Sequence, residues 1–289
     1  MANPSFCYPN WTLPTATVTP TITGPGWVDL DLLQGDVLSE MARSDSVDPA
    51  LTKVVIDMGA MRNIRVLAIP LHNAKLGDAA KMRLATDVDF NDVTLDTGWK
   101  QFFGETYPFG SLQWGAEEWL TGQLSVERAT GKRPPWMHVE QSDVYGRYLE
   151  VSLDFSGNAD GFADLGQIIA SPAVSPIYNR SYGANPPFLR DPSTKTRTRA
   201  GTQFADKKQS YLMTRMQFDW LGENELYGGF FEMVQEYGIT KPMFFIWDAD
   251  APAGLLAKQS FMATVENISD PVHPSYGRYS LQIEVAQAF

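Results

Sequence analysis

The chain of 289 residues has a single cysteine, Cys7. An intrachain disulfide and a cysteine-based zinc site are therefore excluded. Histidine is scarce as well: His72, His138 and His273 are the three, none at metal-ligand spacing from another, and there is no H-E-x-x-H. The sequence has no Gly-x-Ser-x-Gly elbow and no phosphate-cradling glycine loop, two common marks of hydrolases and nucleotide sites. No apolar run approaches the ~20 residues that a membrane-crossing helix needs. The first residues, MANPSFCYPNWTLP, lack a basic segment followed by an apolar one, so no secretory leader is expected. Positive charge is short too. Lys and Arg number 23 against 34 Asp and Glu, and the net charge of −11 opposes non-specific binding to nucleic acid or anionic membranes. The expectation is a protein folded in a reducing cytoplasm, with no cofactor, no metal and no membrane contact.

What is present is β pattern. KVVIDMGAMRNIRVLAIPLHN (Lys53 to Asn73) and YGRYLEVSLDFSGNADGFADLG (Tyr145 to Gly166) are rich in β-branched residues and bounded by Gly, Asn and Asp. Such runs read as strands of two packed sheets, predicted at 54–57, 64–70, 81–85, 148–155 and 164–169. The uncharged, Thr- and Pro-rich stretch 8–26 reads as an extended arm with edge-strand pieces. Residues 97–138 are poorly patterned, and are read as long loops with a short helix near 116–120.

A Pro-, Ser-, Gly- and Asn-dense stretch, 171–192, marks a boundary, giving an expected sandwich domain over 1–175 and a second domain over 176–289. The second has extended runs at 194–204 and 211–220, the latter alternating Leu212, Thr214, Met216, Phe218 and Trp220 against Met213, Arg215, Gln217 and Asp219. A helix follows over 224–237, with Leu226, Phe230, Met233, Val234 and Tyr237 on one stripe and Gly238 at its stop. Strands are predicted again at 243–247, 259–268 and 278–286. The fold class is mainly β.

Four features are candidates for function. DVDFNDVTLDTG, from Asp87, starts like a calcium loop but has Asp92 where Gly is needed and Gly98 where Glu is needed, so an acidic hairpin is expected. The oxygen-rich DFSGNADG, from Asp154, reads as a turn. Trp99, Trp114, Trp119 and Trp136, with His138, offer rings and hydrogen-bonding groups for a glycan, or rings that close the end of a sandwich. Lys195, Arg197, Arg199, Lys207, Lys208 and Arg215 form a basic cluster in an acidic chain, either a subunit interface or a solvated face. No spacing singles out a catalytic pair among the carboxylates, because such pairs meet only in the fold.

The motifs VVIDMGAMRNIRVLAIPLHN, LATDVDF to DTGW, and GRYLEVSLDFSGNADGFADLGQIIA, together with the lead-in WVDLDLLQGDVLSEMARSD, resemble the discoidin-like (galactose-binding-like) jelly-roll domain of phage tail proteins. Coverage is about residues 8–175. RTRAGTQFADKKQSYLMTRMQFDWLGENELYGGFFEMVQEYGITKPMFFIWDAD and GRYSLQIEVAQAF resemble, in layout, the tail-tube-like domain of distal tail and baseplate proteins of long-tailed bacteriophages. The resemblance implies a structural, non-enzymatic virion protein of the tail, assembled in the host bacterial cytoplasm. It would form a homo-hexameric ring, contact the tail tube protein, the tape measure protein and the baseplate hub, and pass DNA through its lumen. The jelly roll would be architectural or would bind a host surface glycan.

Overall fold

The computed structural model describes residues 3–107, 110–116, 118–119, 122–199 and 201–289. It is mainly β and divides into two compact units: Met1–Ser175 with Met243–Ser260, and Pro176–Pro242 with Phe261–Phe289. The expected second domain, 176–289, thus has an excursion, since residues 243–260 count with the first unit. The cause is the wholly buried strand Met243–Ile246, which pairs antiparallel with Ser5–Cys7 in the register Phe6↔Phe245. The helix Ala253–Gln259 in this excursion had no signal in the sequence pattern.

In the first unit the main sheet runs Ile169–Ser171, Val54–Ile69, Trp136–Asp154, Ala79–Ala85, Val93–Asp96, every neighbour antiparallel. Thr21–Thr23, from the predicted arm, adds to Val54–Ile69, and Lys100–Gln101 adds to Ala79–Ala85. A smaller sheet orders Ala163–Leu165, Ala42–Ser44 and Trp27–Val28. The two predicted strands 54–57 and 64–70 are one long strand. Likewise the predicted 148–155 is the end of a strand that begins at Trp136, and the predicted 164–169 is two short strands in different sheets. The expected helix near 116–120 lies partly outside the described residues, and its described part is turn; a short helix occurs instead at Val126–Ala129.

The two long strands turn over on themselves. Register places Ala80 opposite both Lys100 and Leu153, and Ile69 opposite Trp136. Trp136 and Leu153 would be about 55 Å apart in a straight strand. Yet the Trp136 indole N–H donates to the Lys100 carbonyl at 3.0 Å. The bend falls where the pairing slips, between Asp57 and Arg62 and between Ile64 and Val66. Residues 59–63, in the middle of the strand, are exposed or half-buried while both ends are buried. A corner made by a bent strand lets one strand serve both faces of a sandwich. Val54, Ile56, Leu149, Val151, Met82 and Leu84 then share one core with Ile64, Leu67, Ile69, Trp136 and Ala170. Each large aliphatic side chain buried there stabilises by roughly 1.5–3 kcal/mol.

In the second unit Asn185–Arg190, Tyr211–Leu221, Arg278–Gln287 and Ser260–Ile268 pair antiparallel in that order, with Val272–Ser275 also on Arg278–Gln287. The helix is continuous from Glu223 to Tyr237, with a π-helical middle at Leu226–Phe231 that contains Gly228 and Gly229. Its predicted stripe faces the sheet: Leu226, Phe230, Met233 and Tyr237 are buried, Val234 is partly so, and the Phe230 ring lies 5.6 Å from Phe218. At its start the Glu225 carboxylate accepts the Gly222 N–H at 2.7 Å. Gly238, at φ 57°, ends it and donates to Val234.

Candidate functional site

Pairing of Lys100–Gln101 with Ala79–Ala85 sets Trp99 beside Lys81 on the sheet surface. The Lys81 ammonium is 5.8 Å from the Trp99 ring centre and 4.0 Å from the Asp96 carboxylate. Trp99 is 49% exposed. It is an aromatic face with a cation and an anion beside it, open to a planar or polyhydroxylated ligand.

Lys100, next along the chain, turns inward. Its ammonium meets His138 Nδ1 at 2.5 Å, and His138 Nε2 meets the Glu140 carboxylate at 2.6 Å. An ammonium only donates, so Nδ1 is the acceptor and the ring proton sits on Nε2, which donates to Glu140. Burial lowers the Lys100 pKa, and the Glu140 charge opposes that shift. The main-chain carbonyl of Glu140 is tied down by Arg65 Nε at 3.2 Å. Both His138 nitrogens are therefore spent within the fold.

The five predicted glycan residues do not form one surface. Trp136 is only 2% exposed and its indole N–H is used by Lys100, so this ring closes the sandwich. His138 serves the internal chain. Trp114 is 85% exposed and meets Trp119 edge-on at 6.2 Å. Trp99 and Trp114 are the two that present an open ring. Sequence reasoning missed the partners Lys81, Lys100 and Glu140, whose proximity comes from strand pairing and from the bend. It also missed Glu150, a buried carboxylate held by Arg83 at 2.6 Å and by Lys53. The alternation around Leu149 and Val151 was the signal available for it.

The two acidic loops are turns. Asp87 accepts the backbone N–H groups of Asn91 and Asp92 at the tip of the 79–96 hairpin, and Asp154 accepts from Ser156. Among the described residues no group of three or more His, Cys, Asp or Glu side chains could hold a metal ion.

The basic cluster divides. Thr194–Arg197 and Gln203–Asp206 form a two-stranded hairpin with every strand residue exposed, and it carries Lys195, Arg197 and, near its ends, Arg199, Lys207 and Lys208. Arg215 does not join them: it lies on Tyr211–Leu221 and is paired with Glu284 across the sheet.

No protein-family model matches the chain, and no curated protein does. Solved structures do. A family 32 carbohydrate-binding module from a family 31 glycoside hydrolase of Clostridium perfringens aligns with 53% of this chain and 93% of its own, at 12% identity and a TM-score of 0.33. The family 32 module of C. perfringens NanJ, solved with galactose, aligns with 52% of this chain and 92% of its own, at 9% identity and a TM-score of 0.34. The family 32 module of AlyQ, solved with 4,5-unsaturated mannuronic acid, aligns with 53% and 95%, at 10% identity and a TM-score of 0.31. At such scores and identities the likeness fixes neither a ligand nor a site in this chain.

Proposed function

We propose that this chain is a non-catalytic recognition protein whose first unit binds a glycan at Trp99. The observation that carries the reading is the half-exposed Trp99 ring, set by strand pairing beside Lys81 and Asp96 on a rigid sheet. A pyranose ring has an apolar face for the indole and hydroxyls for the flanking charges. Calorimetric titration with bacterial surface polysaccharides tests it. Trp99→Ala should weaken binding about tenfold, the worth of one stacked ring. Binding untouched by both Trp99→Ala and Trp114→Ala removes the reading.

A second reading rests on a different feature: that the chain is a subunit of a larger assembly, the distal tail ring of a long-tailed phage that the sequence resembles. It is supported by the hairpin 194–206. A two-stranded hairpin alone is marginal in water, and five cations on an arm of a chain with net charge −11 suit an acidic partner surface. On this reading the partners are further copies of the chain, the tube, the tape measure and the hub, in the virion tail with DNA passing through. Light scattering of the protein, alone and mixed with a tail-tube protein, discriminates. A monomer that never associates, and that Lys195→Glu with Arg197→Glu leaves unchanged, counts against it.

A further inference from the structure

The strands Tyr211–Leu221 and Arg278–Gln287 keep step from Met213↔Ala286 to Phe218↔Leu281, and the next pair is Leu221↔Tyr279. One strand advances three residues while the other advances two, which is a bulge. A bulge re-aims the side chains around it. The apolar alternation of this run assigns Trp220 inward, with Leu212, Thr214, Met216 and Phe218. In the fold Leu221 takes the inward place at 1% exposure, and Trp220 is 59% exposed.

The same slip brings two adjacent residues, Asp219 and Trp220, onto the wall of one cavity of about 510 Å3, completed by Val272, Pro274, Ser275 and Ser280. In a regular strand neighbours point to opposite faces, so the bulge is what makes this wall. The Asp219 carboxylate is fixed by three donors: Gln217 Nε2 at 2.7 Å, Ser280 Oγ at 2.9 Å, and Ser181 Oγ. These bonds, that from Ser181 foremost, hold its pKa below the usual carboxylate range. Ser280 spends its proton on Asp219 and is left with lone pairs. The wall is thus a set of oriented acceptors beside an unspent indole face, with Val272 and Pro274 as apolar lining.

The complement of such a wall is a molecule with an apolar face and a rim of hydroxyl donors. We propose that the Asp219–Trp220 bulge is a saccharide site of the second unit, taking a neutral pyranose that stacks on Trp220 and donates hydroxyls to Asp219 and Ser280. An ammonium ligand would also meet an indole and a carboxylate. It is disfavoured here because Asp219 already shares its charge among three donors, and because the rest of the lining is uncharged. The site is independent of Trp99 and does not require the first unit to bind sugar.

The test is calorimetric titration of the full chain with neutral methyl glycosides and disaccharides of galactose, glucose, mannose and N-acetylglucosamine, with choline as the cationic comparison. Saturable binding of a neutral saccharide is expected, about tenfold weaker in Trp220→Ala. Asp219→Asn should also weaken it, and Trp99→Ala should leave it unchanged. Trp220 is exposed, so its truncation does not threaten the core, and Trp220→Phe should restore most of the affinity. The proposal is overturned if no neutral saccharide binds, if only choline binds, or if binding survives Trp220→Ala. Loss of saccharide binding in Trp99→Ala alone would support the first-unit reading and sink this one.

Discussion

The indole N–H of Trp136 and the carbonyl of Lys100 are hydrogen-bonded at 3.0 Å, although strand register sets them at opposite ends of the same sheet. This bond spans the fold of the bent strands, and the ring around it is buried. Trp136→Phe keeps most of the apolar contact and loses the bond, so a loss of about 1 kcal/mol is expected. Trp136→Ala adds a cavity and should cost about 3–5 kcal/mol. Urea unfolding measures both, and a Trp136→Phe variant as stable as the native chain would mean the hydrogen bond contributes nothing.

Gly59 sits at the corner of the long strand with φ +74°, and a Cβ there would lie 2.5 Å from Val18 Cγ1. Gly59→Ala carries both a left-handed backbone penalty of about 1 kcal/mol or more and a steric one. Adding Val18→Ala should recover the steric part and leave the backbone part. Complete recovery in the double variant would show that the backbone conformation is not strained.

His72 is fully buried and neutral. Its Nε2–H donates to the Pro134 carbonyl at 2.9 Å and Nδ1 accepts the Ala74 N–H at 3.1 Å. Burial, the largest cause, pushes its pKa down to about 4. The unfolded chain binds this proton near pH 6.5 and the folded chain only near 4, so the unfolded state holds more protons between those values. Stability from this group is complete above about pH 6.5 and declines as pH falls toward 4. Urea midpoints at pH 7 and pH 5 should differ less in His72→Gln than in the native chain. An identical difference would contradict a buried neutral imidazole.

Asp57 and Arg147 form a two-pronged pair, with Nε on Oδ1 at 2.7 Å and Nη2 on Oδ2 at 2.8 Å. The Arg147 bonds, foremost, lower the Asp57 pKa, with help from the Gly59 N–H. A depressed carboxylate contributes stability above its unfolded value near 4, and that contribution is lost as pH falls through the folded pKa. The pair is partly exposed, so its worth is small and salt-sensitive. Asp57→Asn should flatten the acid limb of the stability profile below about pH 4. An unchanged limb would show that the pair carries no net stability.

Cys7 is buried, and burial pushes its thiol pKa far up. With no thiolate at neutral pH it should not react with a thiol reagent until the chain unfolds. Rapid labelling of the native protein would place Cys7 in an opening segment.

Much of the local structure could be read from residue order. The alternation in Val54–Asp57 and Tyr148–Asp154, the stripe Leu226–Phe230–Met233–Tyr237 and the acidic hairpin tip at Asp87 are written in neighbours two to four positions apart. Strand period, helix period and turn chemistry act over that range. The site was less legible. Trp99 could be named as a candidate ring, but its company of Lys81 and Asp96 depends on strand pairing. Trp136 looked equally available and is buried, while Trp220 looked buried and is exposed.

Sequence alone determined that the chain is β-built, acidic, limited to one thiol, and carries a helix with one apolar face over 224–237. Only the tertiary structure decided where the long strands bend, that residues 243–260 leave the second unit for the first, and which tryptophans face water. A one-residue bulge reverses the side of every side chain beyond it, and a bend brings residues far along a strand onto one core. Such slips are set by partners far along the chain, and residue periodicity has no term for them.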